Sequence, residues 1–373
     1  MRSMSLTPGG ANTAHSHRDV RMTSSKEVVF AERLRRQRLL EPVKTPEEYT
    51  ALFRVLQPVS PVYFSCPGDP PILTHRAAFD DREVSSGWRQ TREIVKGRFL
   101  RGTIGYVFSE ELDLYANAFL RPLVRLSRDQ ELVFDTLAHV GPLTPRQIKE
   151  ETGLLNKEVM PILHRLQEAF LVYEDQIDTN WERAWYIFSQ EWPDLAVEPD
   201  RWEAAAQEVL RRFIHTDVFV TGERIRNWSG WSVKATKHLL QLMQARGDIM
   251  SCTIDGLGEG WIGAEDSIIE ALAPSPTVFM LHKADPLVRA GISELKRRFA
   301  GLEVLQYLLI DGDFRGAVCG HWRIGPHDVE DIVVDLSPAD RVARKTEIVQ
   351  AVEWGYHPPS HHILRYAGES MVA

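Results

Sequence analysis

Apolar positions recur at two different periods along this chain, and in one stretch the two periods follow a set order. Val159, Ile162, Leu163, Leu166 and Phe170 fall at i, i+3, i+4, i+7 and i+11, the stripe of an amphipathic helix. Before it, Thr144-Pro145-Arg146-Gln147 offers a hydroxyl cap, proline at the first helical position and an amide able to close a capping box. A short helix is therefore predicted there, stopping at Gly153. Asn156 is the expected cap of the striped helix, and Pro161, just past its first turn, is expected to delay or bend it. Leu171–Tyr173 and Ala184–Phe188 read as strands joined by a turn at Asp178-Thr179-Asn180. Helix, turn, helix and hairpin over residues 143–188 is the order of a winged helix.

The order recurs over residues 201–263. Ala206, Val209, Leu210, Phe213 and Ile214 form one stripe. Thr221 caps a short helix ending near Ser229-Gly230, and Ser232 caps a third whose buried face is Thr236, Leu239, Leu240 and Met243. Gly247 stops it, and a glycine-rich hairpin turn at Gly256–Gly260 follows. Near the start, a helix over Lys26–Leu40, a capping box at Thr45–Glu48 opening a second helix, and a hairpin around Arg101-Gly102 suggest a third, irregular unit. Beyond Ala273-Pro274-Ser275-Pro276 the pattern becomes strands at 278–281, 304–310, 317–324 and 329–336. Helices are expected near 290–299 and 339–354, and Asp311-Gly312 marks a tight hairpin. The expected architecture is thus α+β: a disordered tail at 1–24, three winged-helix-like units at 25–125, 126–195 and 196–272, and a small β-rich α+β domain at 273–373.

Composition narrows the partners. The 373 residues carry a formal net charge of −8, which excludes a chain-wide electrostatic grip on nucleic acid and requires a localised basic face. Residues 211–247 hold seven Lys/Arg against two acids, and residues 82–101 hold six against two. Lys157 and Arg165, on the first unit's striped helix, are further candidate DNA contacts, although residues 174–194 beside them carry six acids and one arginine, an acidic wing that opposes DNA approach. Lys234, Lys237, Arg224 and Arg226 read as phosphate contacts, with a solvated face as the alternative. Lys96, Arg98 and Arg101 sit on the first hairpin, where the alternative is a structural ion pair. Three scattered cysteines, Cys66, Cys252 and Cys319, suggest neither a disulfide framework nor a zinc site and fit a reducing cytoplasm. No apolar run is long enough to span a bilayer. His357, His361 and His362 lack an acidic partner at ligand spacing, so no metal and no small-molecule cofactor is expected.

Three segments carry a family resemblance. Ile94–Ile104, with Arg101-Gly102-Thr103-Ile104, is similar to an Arg-Gly-Thr hairpin; Leu281–Pro286 is similar to a Leu-Pro-x-aromatic-Asp-Pro motif; and Asp311-Gly312 with Arg315–Trp322 is similar to a paired-strand motif ending in Trp. Their order over roughly residues 28–365 resembles the bacterial tandem winged-helix DNA glycosylases of interstrand-crosslink repair, the AlkZ/YcaQ-like family. The resemblance implies a C-shaped protein that clasps double-stranded DNA and excises alkylated bases. It also implies a catalytic Gln-apolar-Gln or Gln-apolar-Asp motif after the second helix. Here that place reads Leu56-Gln57-Pro58-Val59-Ser60-Pro61-Val62, and neither register restores the motif. Hydrolysis of an N-glycosidic bond needs a positioned, activated water, which valine cannot supply. Gln57, Ser60 and Asp69 remain as candidates, the last in the rigid Cys66–Pro71 loop, where capping a turn is the alternative. Two readings from other classes stay open: a DNA binder without catalysis, such as a transcription regulator, and a winged-helix protein-interaction scaffold.

Overall fold

The computed structural model describes residues 20–64, 70–175, 183–266 and 276–371. Asp69 and the turn at 178–180 lie outside them. Several helices begin on a capping side chain that the sequence announces. Thr45 Oγ1 accepts the Glu48 N–H and opens the helix Pro46–Leu56. A second helix, Asp81–Thr91, starts on Asp80 and precedes the hairpin Ile94–Arg98/Ile104–Phe108. The two helices and the hairpin bury Tyr49, Phe53, Trp88 and Phe108 against one another, with Tyr49 stacked on Trp88 at 5.6 Å.

Thr144 and Gln147 form the expected capping box at the start of the helix Pro145–Thr152, and Gly153 ends it with φ 74°. The striped helix spans Asn156–Glu168 without interruption. Two details differ from expectation. Leu155, not Asn156, occupies the cap position, because the Glu158 carboxylate reaches back to the Leu155 N–H at 2.8 Å. Pro161 sits inside the helix and does not delay its start. A further helix, Arg128–Val140, precedes this pair behind a Ser127/Gln130 capping box, and its Val133 and Leu137 pack into the core of the other two. The short strands Val172–Glu174 and Trp185–Ile187 close the unit.

The next stretch repeats that order: helices Trp202–Asp217, Gly222–Ser229 and Val233–Arg246, then strands Ile249–Asp255 and Gly258–Gly263. Val20–Ser25, expected as the end of the tail, instead forms a strand parallel to Ile249–Asp255. It leads into the helix Lys26–Arg36, which is shorter than the 26–40 expected because the chain leaves helical geometry at Gln37 and turns at Arg38, φ 57°.

The C-terminal part is a six-stranded sheet. Counted from the start of the unit, Val278–His282, Val304–Ile310, Asp313–Cys319 and Asp331–Val334 are successive antiparallel neighbours, followed by two short strands at 365–366 and 369–370. Asp311 and Gly312, with φ 54° and 82°, make the two-residue hairpin turn. The third strand ends at Cys319, so Trp322 lies in an irregular segment rather than in the sheet. The expected last helix is two, Pro338–Ala343 and Lys345–Glu353. Helix Pro286–Arg298 is capped by Asp285 and packs on Gly222–Ser229.

Ion pairs with little exposure join the parts. Asp217 accepts both guanidinium nitrogens of Arg224 at 2.7 Å and pairs with Arg33 at 3.2 Å. Arg76, fully buried, pairs with Asp285 at 2.7 Å and donates to Gln37. A single apolar core runs from Val95 and Phe99 through Phe119, Phe170 and Leu210 to Ala290. Among the described residues no helix is long and apolar enough to cross a membrane.

Candidate nucleic-acid interface

The hairpin loop at Leu100–Gly102 is held in a tight turn. Arg101 and Gly102 both have positive φ, Arg98 Nη1 donates to Gly102 O at 2.9 Å, and Thr103 Oγ1 donates to Leu100 O at 2.6 Å. This geometry turns the exposed Arg101 side chain outward while Arg98 lies half-buried on Gln167 Oε1 at 3.0 Å. Burial lowers the Arg98 pKa, and the Glu174 and Glu168 carboxylates oppose that shift.

Across from the loop, Arg289 leaves the first turn of helix Pro286–Arg298 and reaches three partners. It donates to Ala284 O at 3.1 Å, Thr103 Oγ1 at 2.5 Å and Ser60 Oγ at 2.9 Å. Desolvation pulls its pKa down to about 10, so it stays charged. Ser60 in turn donates to Ile104 O at 2.7 Å. Three adjoining cavities meet here. One of ≈590 Å³ is lined by Ser60, Arg89, Lys96, Arg98, Glu174 and Arg183. One of ≈640 Å³ is lined by Tyr63, Arg101, His282, Lys283, Lys296 and Trp322, and one of ≈510 Å³ by Arg101, Arg121, Arg226 and Trp231. The first two share Thr103, His282 and Arg289, and the last two share Arg101 and Asn227, so they form one trough. Its walls carry ten Lys or Arg side chains, and Glu174 and Glu223 are its acids. A further, more enclosed cavity of ≈290 Å³ beside Arg224 mixes both signs of charge, with Glu223, Glu294 and Asp313 among its lining, and lacks this character.

Charge in the trough is graded. Lys96 is buried and pairs with Glu174 at 2.6 Å; desolvation lowers its pKa to about 8 despite that carboxylate. Arg183 stands 3.7 Å from the same carboxylate. His282 is driven to about 4, chiefly by burial and then by Lys283 and Arg289, so it is neutral. Its Nδ1 accepts the Ala284 N–H at 3.1 Å, which leaves the proton on Nε2. Arg101, Lys283, Lys296 and Arg226 have no ion-pair partner among the described residues, so their charges face the open space.

The sequence candidates divide accordingly. Ser60, Lys96, Arg98, Arg101 and Arg226 line the trough. Gln57 does not: it is buried at the end of its helix, accepts the Phe108 N–H at 2.8 Å and donates to Glu111. Arg224 is committed to Asp217, and Arg165 holds the carbonyls of Arg121 and Pro122. Lys157, Lys234 and Lys237 are exposed but do not line the trough. The acidic wing is partly neutralised, because Glu174 serves Lys96 and Glu191 serves Arg92. His361 packs on His327 and Tyr356 and His362 pairs with Asp328; among the described residues no three metal-ligating side chains converge. Sequence reasoning missed Arg289, Glu174, Lys283 and Lys296. Of these only Arg289 and Lys283 had a nearby signal, the Leu281–Pro286 motif they sit in or just after.

Comparison with known proteins bears on this geometry. A family model described as DNA glycosylase AlkZ-like matches residues 72–347. No curated protein matches significantly. Among solved structures, the DNA glycosylase AlkZ of Streptomyces sahachiroi superposes with a TM-score of 0.67 at 16% identity, covering 92% of this chain and 100% of that one. At that identity the likeness speaks for the mixed α+β fold alone. The family match covers the Arg-Gly-Thr hairpin, the Leu281–Pro286 motif and most of the residues that wall the trough, and the chain accordingly belongs to the AlkZ-like DNA glycosylase family.

Proposed function

We propose that the protein binds double-stranded DNA along the basic trough as a crosslink-repair factor of the glycosylase type, with its three helix-and-hairpin units acting as winged helices. The observation that carries this reading is the continuity of the trough: cations from five separated chain segments line connected cavities although the whole chain is net negative. Phosphates set affinity through such a surface. With four side chains unpaired in the protein, the logarithm of the binding constant should fall against the logarithm of salt with a slope of about −4. An anisotropy titration of labelled duplex across a KCl series measures it; affinity independent of salt contradicts the reading.

Excision of an alkylated base is the finer part of the proposal. An N7-alkylated purine is already cationic and leaves readily, so what the site must add is a placed water and a negative charge near the developing oxocarbenium. Glu174 is the carboxylate of the cavity that holds Ser60, and Ser60, fixed between Ile104 O and Arg289, presents a hydroxyl there. Release of 7-methylguanine from duplex by the wild type, falling at least tenfold in Glu174→Gln, supports excision. One observation favours binding without excision: Gln57 and Val59, in the slots of the family motif, are both buried away from the trough. No release above an enzyme-free control decides for that second reading.

A further inference from the structure

The ≈640 Å³ part of the trough has features that phosphate binding does not use. Three aromatic rings meet at its mouth. Tyr63 lies 5.4 Å from His282 and 6.1 Å from Trp322, ring to ring. Trp322 is more than one-third exposed, and its Nε1 donates to Phe64 O at 3.0 Å, which fixes an apolar plate at the solvent edge. Behind the rings, His282 and Gln306 are directly opposite each other on adjacent strands and so share one face of the sheet. Gln306 is 1% exposed; its Nε2 donates to the Tyr356 hydroxyl at 3.0 Å, and its Oε1 has no hydrogen-bond partner among the described residues. A buried acceptor left unmet is costly, and such groups call for an explanation such as a bound donor. Neutral His282 adds an Nε2–H donor on the same face. Lys283, Lys296 and Arg101 stand around the opening.

We infer that this cavity is a binding pocket for an amino-bearing nucleobase turned out of the DNA stack, an assignment that rests on the DNA-binding reading above. The aromatic rings give the base a stacking surface. Gln306 Oε1 receives a hydrogen from the exocyclic amino group, His282 Nε2–H meets the adjacent ring nitrogen, and the cations hold the flanking phosphates. Adenine presents that donor-acceptor edge; unsubstituted purine lacks its donor. A free adenine nucleotide has the same chemistry, so the test separates the two sources.

Three duplexes serve as probes: one fully paired, one with adenine facing an abasic site, and one with unsubstituted purine facing an abasic site. The wild type should bind the unpaired-adenine duplex about tenfold tighter than the paired one, and several-fold tighter than the purine duplex. Gln306→Leu should erase the adenine-over-purine preference alone. Tyr63→Ala with Trp322→Ala should bring the ratio of unpaired-adenine to paired-duplex affinity to about one, whatever it does to both affinities together; should that pair fail to fold, Gln306→Leu carries the test. Equal wild-type affinity for all three duplexes overturns the pocket and leaves the trough standing. If no duplex binds, the DNA reading itself has failed, and quenching of tryptophan fluorescence by adenosine monophosphate decides. Quenching lost in Gln306→Leu assigns the pocket to free nucleotide; absence of quenching overturns it.

Discussion

Asp217 shows how much one carboxylate can hold. Its side chain is 1% exposed and carries two guanidinium groups, buried Arg33 and half-buried Arg224, from two different helices. Asp217→Asn leaves both uncompensated and should cost about 3–5 kcal/mol, read as a lower urea midpoint. Lys96 makes the opposite case. Its folded pKa of about 8 is below the ordinary 10.5, so from pH 8 to 10.5 the unfolded chain holds more protons and the folded state gains stability with rising pH. Below pH 8 the cost of the buried ammonium is present in full. Lys96→Met removes that titration, so the stability difference between variant and wild type should shrink by about 3 kcal/mol across the window. Urea titrations of both proteins at pH 7 and pH 10.5 measure it, and a difference that does not change with pH contradicts the assignment. Neither role shows in the sequence: both residues look like surface charges until the fold brings in their partners.

Local chemistry, by contrast, was readable element by element. The Thr144/Gln147 capping box, the Thr221 and Ser232 caps and the stops at Gly153, Gly230 and Gly247 all stand where the pattern put them. Thr144→Ala should accordingly destabilise by about 1 kcal/mol, as a modest shift in the thermal midpoint. The helix Arg128–Val140 was missed although Ser127-x-x-Gln130 announces it, because its stripe is narrow: Val133 and Leu137 are its buried residues. Asp81–Thr91 was missed because it too buries little, Asp81 and Ser85, and follows a proline-rich stretch. The glycine spacing places Gly260 in a turn, but it lies in the strand Gly258–Gly263, where a Cβ would come within 2.5 Å of Val220 O. Backbone cannot yield there as a side chain can. Gly260→Ala should therefore cost about 1–3 kcal/mol, seen by thermal denaturation, while Gly258→Ala should act through its φ of 80° and not through a clash.

At the scale of the molecule, the trough is assembled from residues near 60, 89–106, 121, 164–183, 223–231, 282–306 and 322. Such a site has no local signature. The sequence offers an Arg-Gly-Thr hairpin and points to a basic face, but of its basic cluster at 211–247 only Arg226 reaches the trough: Arg224 proves structural, and Lys234 and Lys237 stand outside the cavities. Helix Pro286–Arg298 is what joins the halves, since Arg289 ties the hairpin and Ser60 to the C-terminal sheet while Asp285 ties the same helix to Arg76. The account stands on that single groove being the DNA-binding surface. The most direct measurement compares duplex affinity at fixed salt for two charge reversals of equal size, Arg101→Glu with Lys283→Glu inside the trough and Lys234→Glu with Lys237→Glu outside it. The first should weaken binding by at least about tenfold and flatten the salt slope by about 2, with the second changing affinity only a few-fold. Equal losses from both pairs, or a larger loss from the outer pair, would contradict the account.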